Sequence, residues 1–167
     1  MPLPPPSLKG RALRLLSTRE HSRTELERKL RRHEVEPGQL CKVLDELQAK
    51  GFIDAQRVVE SVVHQRAAKL GVARIRQELQ HKGVAGDEAA AALAALQATE
   101  LARARQVWRK KFGSRPADAE APEAPDAAQR ARQMRFLAAR GFSGDTIRRV
   151  VSGADELLDE TSDASGA

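Results

Sequence analysis

Aromatic side chains make up only 3% of this 167-residue chain, with no tyrosine and a single tryptophan. So few rings leave no platform on which successive nucleobases could stack, which argues against sequence-specific readout of nucleic acid. One cysteine, Cys41, excludes an intrachain disulfide. Its place in an apolar helical pattern predicts a small buried hydrophobe rather than a reactive thiol. No apolar run approaches membrane-spanning length. The Pro-rich stretch Met1 to Ser7 lacks the apolar centre of a signal peptide, so a soluble cytoplasmic protein is expected. The glycines are single and punctuate helices, so there is no phosphate-cradling loop and no expectation of ATP hydrolysis. His21, His33, His64 and His81 lack the spacing and the Cys partners of a zinc site, and are expected on solvent-facing helical positions. No catalytic constellation, metal site or cofactor is predicted, and the chain is not expected to be an enzyme.

Charge is abundant instead, at 31% of residues, with a formal net charge of +6. Five carboxylates and no base follow Gly153, and four more lie between Pro116 and Asp126. Without these nine acids the helical body would stand at +15. Such a body is drawn to a polyanion, nucleic acid first and an acidic protein surface second.

A short pattern occurs three times: Leu30 to Val35, Leu79 to Val84, and Leu137 to Phe142, each an initial Leu with an apolar residue five positions later. Apolar positions return at matching offsets, as Leu40, Val43 and Leu44, as Ala89, Ala92 and Leu93, and as Ile147, Val150 and Val151. Three copies of a helix–turn–helix unit predict an all-α protein, a tandem repeat of three three-helix units, elongated and curved. The expected layout is a disordered Pro-rich N-terminus over 1–7, repeats over 8–51, 52–98 and 99–153, and a disordered acidic tail over 154–167. The third repeat is delayed by an acidic Pro/Ala-rich loop at 114–126.

Within that layout, Ser22-Arg23-Thr24-Glu25 fits a capping box, and Pro37 suits the first turn of a third helix. Asp54 is a plausible N-cap for a helix whose stripe is Val58, Val59, Val62 and Val63; strand is the competing reading for so many β-branched residues. Leu101, Ala104, Trp108 and Phe112 share one helical face, so Trp108 is read as core rather than as a base-stacking ring. Phe52, Phe136 and Phe142 are read as core as well.

The basic residues fall into two clusters. Arg57, Arg66, Lys69, Arg74, Arg76 and Lys82 cross the middle unit, and Arg103, Arg105, Arg109, Lys110 and Lys111 share the helix of Trp108. Most charged helical residues simply form a solvated face. Here Glu100 is the one acid between Thr99 and Arg115, which leaves the second cluster without local partners and favours a polyanion-facing role.

The run Gly51-Phe52-Ile53-Asp54, with Arg57, Glu60-Ser61, Arg66, Lys69 and Gly71, resembles the RecX family of recombination regulators. Arg74 to Leu79, Lys82-Gly83-Val84 and Arg140-Gly141-Phe142-Ser143 with Ile147 and Arg148 continue the resemblance. It departs at Ala55, where the family usually has a second acid, and at Val58-Val59, where an aromatic followed by Ala is common. The resemblance implies tandem three-helix repeats lying in the groove of the RecA filament on single-stranded DNA, damping its ATPase, strand exchange and co-protease activity and so restraining the SOS response. The implied partners are the RecA filament and, weakly and without sequence preference, the single-stranded DNA backbone; no membrane is implied, and a monomer is expected. Two rivals remain: a helix-turn-helix transcription regulator reading duplex DNA, and an inert helical adaptor binding proteins through apolar seams.

Overall fold

The computed structural model describes residues 6–113 and 127–153; the expected disorder of the N-terminus, the acidic loop and the tail falls largely outside them. Among the described residues the chain is helical throughout, with no strand. The helices are α1 (Leu8–Leu16), α2 (Arg23–Leu30) followed by a 3-10 turn (Arg31–His33), α3 (Gln39–Ala49), α4 (Ala55–Arg66), α5 (Val72–His81), α6 (Asp87–Ala98), α7 (Glu100–Phe112), α8 (Ala127–Ala139) and α9 (Gly144–Ser152). The valine-rich segment is helix rather than strand, started by the Asp54 carboxylate accepting from the Arg57 N–H at 3.1 Å.

The chain forms two compact units, residues 1–63 with 78–92 and residues 64–77 with 93–167. In the first, Leu8 and Ala12 of α1, Leu26 and Leu30 of α2, and Leu40, Leu44 and Leu47 of α3 close on Ile53 as one core. Each fully buried leucine contributes roughly 1.5–3 kcal/mol of apolar burial. The capping box forms as expected: Ser22 Oγ accepts from the Glu25 N–H at 3.1 Å, and the Glu25 carboxylate accepts from the Ser22 N–H at 3.0 Å. In the second unit, Ala104 and Val107 of α7 pack with Leu137, Phe142, Ile147 and Val150. Trp108 lies at the edge of this core, its indole N–H donating to Gln133 Oε1 at 3.1 Å, so the core reading of that ring holds.

The threefold pattern has a physical basis at the helix ends. Gly83 (φ +72) and Gly141 (φ +81) take the left-handed conformation that lets a helix stop. The next residue then folds back, Val84 N–H donating to Leu79 carbonyl at 2.9 Å and Phe142 N–H to Leu137 carbonyl at 3.4 Å. This is the Schellman closure, in which the apolar residue after the glycine packs on the helix it has just left. Val84 and Phe142 are accordingly buried. The first copy has Glu34 where the others have glycine. Its helix runs on as a 3-10 turn, Glu34 is extended, and Val35 is left 88% exposed.

Several expectations are corrected. Pro37 precedes the N-cap Gly38 and belongs to the turn before α3, not to its first turn. Cys41 is exposed, within 3.4 Å of Arg23 Nη2, because the α3 stripe is completed by Leu40, Leu44 and Leu47 without it. Phe52 is 47% exposed, since Ile53 beside it fills the core position. His21 is buried, not solvent-facing, with its ring Nδ1 at 3.1 Å from the Arg19 carbonyl. Burial pushes its pKa down despite that contact.

Candidate polyanion-binding site

The basic residues singled out in the sequence divide into those the fold consumes and those it presents. Arg57 belongs to the first group. Its guanidinium donates to Glu20 at 3.0 Å and to the Gly51 and Phe52 carbonyls at 2.8 and 3.2 Å, and lies 3.6 Å from Asp54. It therefore ties off the end of α3.

Lys82 is held similarly. Its ammonium donates to Glu25 at 2.9 Å, and its carbonyl accepts from Ser22 Oγ. Arg19 adds a third donor to the same carboxylate at 3.0 Å. Burial is the largest single influence on Glu25 and pushes its pKa up, but the hydrogen bonds from Arg19, the Ser22 N–H and Lys82 outweigh it and hold the group at about 2.

Arg103 is the third consumed cation. One guanidinium nitrogen donates to the Ala67 and Leu70 carbonyls at 2.9 and 2.7 Å, the other to Leu96 at 2.9 Å. These are carbonyls where α4 and α6 give out, the groups a helix end leaves unsatisfied.

Glu100, the first residue of α7, is only 2% exposed. Its carboxylate accepts from the Val72 N–H at 3.0 Å, the Thr146 hydroxyl at 3.1 Å and the Ser143 N–H at 3.4 Å, capping the starts of α5 and α9. Burial acts most strongly and upward, yet these donors together leave the group below its ordinary range. The sequence placed this acid correctly as the only one in its segment but carried no sign of its burial.

The presented cations include Lys69, Lys110 and Lys111, all exposed, and the structure gathers these three around one cleft of about 540 Å³. Val107 and Phe136 give it apolar surface, Gln106 a polar one, and Arg140 a fourth charge; no carboxylate lines it. The Arg140 guanidinium lies 3.6 Å from the centroid of the Phe136 ring, and Phe112 meets that ring edge-on at 5.1 Å. Arg140 thus carries its charge on an aromatic support that fixes its position. The basic clusters read from the sequence did not include it, although its four-residue spacing from Phe136, at the end of α8, was visible there. Arg66, Arg74, Arg76 and Arg109 are exposed but do not line this cleft, and Arg105 is half-buried. Arg74 donates to Gln77 at 3.1 Å.

The cleft is suited to binding, with four positive charges, that of Arg140 held on a ring, around a partly apolar floor. Among the described residues no three His, Cys, Asp or Glu side chains form a group able to hold a metal ion, and no helix is long and apolar enough to cross a membrane.

Comparison with known proteins agrees with this architecture. The family models for the first, second and third three-helix domains of RecX match residues 9–47, 54–93 and 98–151. The chain is 54% identical over 153 residues to the regulatory protein RecX of Leptothrix cholodnii, covering 92% of each chain. It is 45% identical over 160 residues to the regulatory protein RecX of Ralstonia nicotianae, covering 96% of each. Among solved structures, RecX from Lactobacillus salivarius superposes with a TM-score of 0.65 at 21% identity, covering 89% of this chain and 94% of that one.

Proposed function

This chain belongs to the RecX family of regulatory proteins, and from that premise we propose that it restrains a RecA-type recombinase by lying in the groove of the recombinase filament on single-stranded DNA. In this reading the protein damps the filament's ATPase, strand exchange and co-protease activity. It acts in the cytoplasm as a monomer, with its three repeats as successive contact modules. Its own affinity for the DNA backbone is weak and indifferent to sequence.

The observation that carries the reading is the cleft of Lys69, Lys110, Lys111 and Arg140, a convergence of four cations with no lining carboxylate. A filament on DNA offers such a surface both phosphates and acidic side chains. Arg66, Arg74, Arg76, Arg105 and Arg109 are proposed as flanking contacts. Arg57, Lys82 and Arg103 are proposed to act only by holding the fold, since carbonyls and carboxylates already engage them.

The test is the DNA-dependent ATPase of RecA with this protein added below stoichiometry. Turnover is expected to fall, and Lys110→Glu with Lys111→Glu is expected to weaken the effect at least tenfold while the thermal midpoint stays unchanged. Unchanged turnover together with no binding to preformed filaments would overturn the reading. Tight, salt-resistant, sequence-selective binding to duplex DNA would instead favour a transcription regulator.

A further inference from the structure

A second basic cleft lies in the other compact unit, built from residues that neither sequence cluster contains. Its volume is about 550 Å³, and it opens between α1 and the stretch formed by α2 and the 3-10 turn. Arg11 and Arg14 line it from α1; Arg28, Lys29, Arg32 and His33 line it from the opposite element. No carboxylate and no Phe, Tyr or Trp ring is among its lining residues, and the His33 imidazole is its one aromatic ring.

The charges on the two walls follow from helical spacing. Arg11 and Arg14 stand three apart, and Arg28 and Arg32 four apart, so each pair shares a face. In the sequence Glu25 and Glu27 interleave with these bases and suggest local neutrality. The fold separates them: Glu25 is buried with Lys82 and Arg19, and Glu27 is drawn to Arg23 at 3.0 Å. What remains on the cleft is unbalanced positive charge. The Arg14 and Lys29 side chains are exposed, and neither charged group has a hydrogen-bond or ion-pair partner among the described residues. Arg11 uses its Nε on the Pro6 carbonyl at 3.0 Å, and Arg32 its Nε on His33 at 3.2 Å, which leaves the outer nitrogens of both guanidinium forks to donate elsewhere.

We propose that this cleft is a binding site for the sugar–phosphate backbone of single-stranded nucleic acid. Two facing walls of cations match phosphates that recur along a flexible chain, and arginine forks suit them geometrically. Pro6, Leu15 and Leu30 add apolar surface that the sugar edges can cover. With His33 as its one aromatic ring, the site offers no run of stacking platforms and reads no sequence.

The experiment uses the full chain and needs no recombinase, so its outcome is independent of the filament reading. A fluorescein-labelled oligothymidylate is titrated against the parent protein, against Arg14→Ala with Lys29→Ala, and against Lys110→Glu with Lys111→Glu. Backbone amide resonances are followed in parallel. The first variant is expected to keep its thermal midpoint, lose five- to tenfold in affinity, and lower the slope of log affinity against log salt by about 1.4. Amide shifts at Arg14, Lys29 and His33 are expected on adding the oligonucleotide to the Lys110→Glu, Lys111→Glu protein. Unchanged affinity in the Arg14→Ala, Lys29→Ala protein overturns the proposal, as does the absence of shifts at those three residues. Shifts produced by inorganic tripolyphosphate but not by the oligonucleotide also overturn it, because they mark a small-anion site.

Discussion

Glu25 and Lys82 meet at 2.9 Å across 57 residues of sequence, where a carboxylate that caps its own helix also serves as a tertiary anchor. The same carboxylate that returns to the Ser22 N–H at the start of α2 receives the ammonium of the residue just before Gly83. The backbone there follows suit: the Lys82 carbonyl accepts from Ser22 Oγ, and a Cβ on Gly83 would stand 2.2 Å from Thr24 Oγ1.

Replacing Glu25 by Gln should therefore lower stability by roughly 2–4 kcal/mol in urea denaturation, because it leaves the largely buried Lys82 beside a neutral amide and removes the partner of Arg19. The pH dependence follows in sign. With Glu25 held at about 2 against an ordinary 4.5, its contribution is complete above pH 4.5 and is lost as pH falls toward 2. On the order of 2–3 kcal/mol should disappear across that window in the parent protein. The Glu25→Gln profile should be shallower there, which thermal melts at stepped pH would show.

Gly71→Ala should be among the most damaging small substitutions. A Cβ there would sit 2.2 Å from the Gly141 carbonyl oxygen, against backbone that cannot swing away, beside the Gly71 N–H to Arg140 carbonyl bond of 2.9 Å. A loss of at least about 2 kcal/mol is expected. Gly144→Ala is the control: the nearest atom to its added methyl would be Arg148 Nη1 at 3.8 Å, and stability should hold or rise by up to about 1 kcal/mol.

Glu34→Ala should cost about 1 kcal/mol, although the side chain lies in a connecting segment. The N-cap of α3 is Gly38, which has no side chain to accept a hydrogen bond, and Glu34 Oε1 takes the Leu40 N–H at 3.0 Å instead. Glu34→Gln retains an acceptor and should lose less, a ranking that chemical denaturation resolves.

Arg103→Ala and Lys110→Ala should separate structural from presented cations on one helix. The first strips donors from three carbonyls and should destabilise by about 2–3 kcal/mol. The second should stay within about 0.5 kcal/mol in stability and reduce the salt dependence of polyanion binding by about one ion. Equal losses of stability in the two variants would contradict this division.

Helical periodicity was enough to read the all-helical repeat, because the apolar offsets after Leu30, Leu79 and Leu137 record which face of each helix is buried. The capping box at Ser22 and the Asp54 cap were legible for the same reason: both are local hydrogen bonds between near neighbours. What periodicity does not carry is the long-range fate of charge. Lys82 and Arg103 read as surface bases because their partners, Glu25 and the carbonyls of Ala67, Leu70 and Leu96, lie tens of residues away or belong to backbone. Arg140 was missed as a cleft residue because its support is a ring, not a charge. The cleft lined by Arg14 and Lys29 was hidden by acids that share its sequence but not its face.

The partnership of Glu25 and Lys82 also sets an order of events at the ribosome. The chain emerges N-terminus first, at about 5–20 residues per second, so α2 is made several seconds before Lys82 can join Arg19 on its carboxylate. The second unit waits longer, since residues 64–77 belong with a segment that begins at Leu93 and Gly71 is not joined by Gly141 until most of the chain exists. Nascent chains that expose α1 to α3 but not yet Lys82 should therefore hold Glu25 with Arg19 as its single cationic partner, and translation itself sets how long that interval lasts.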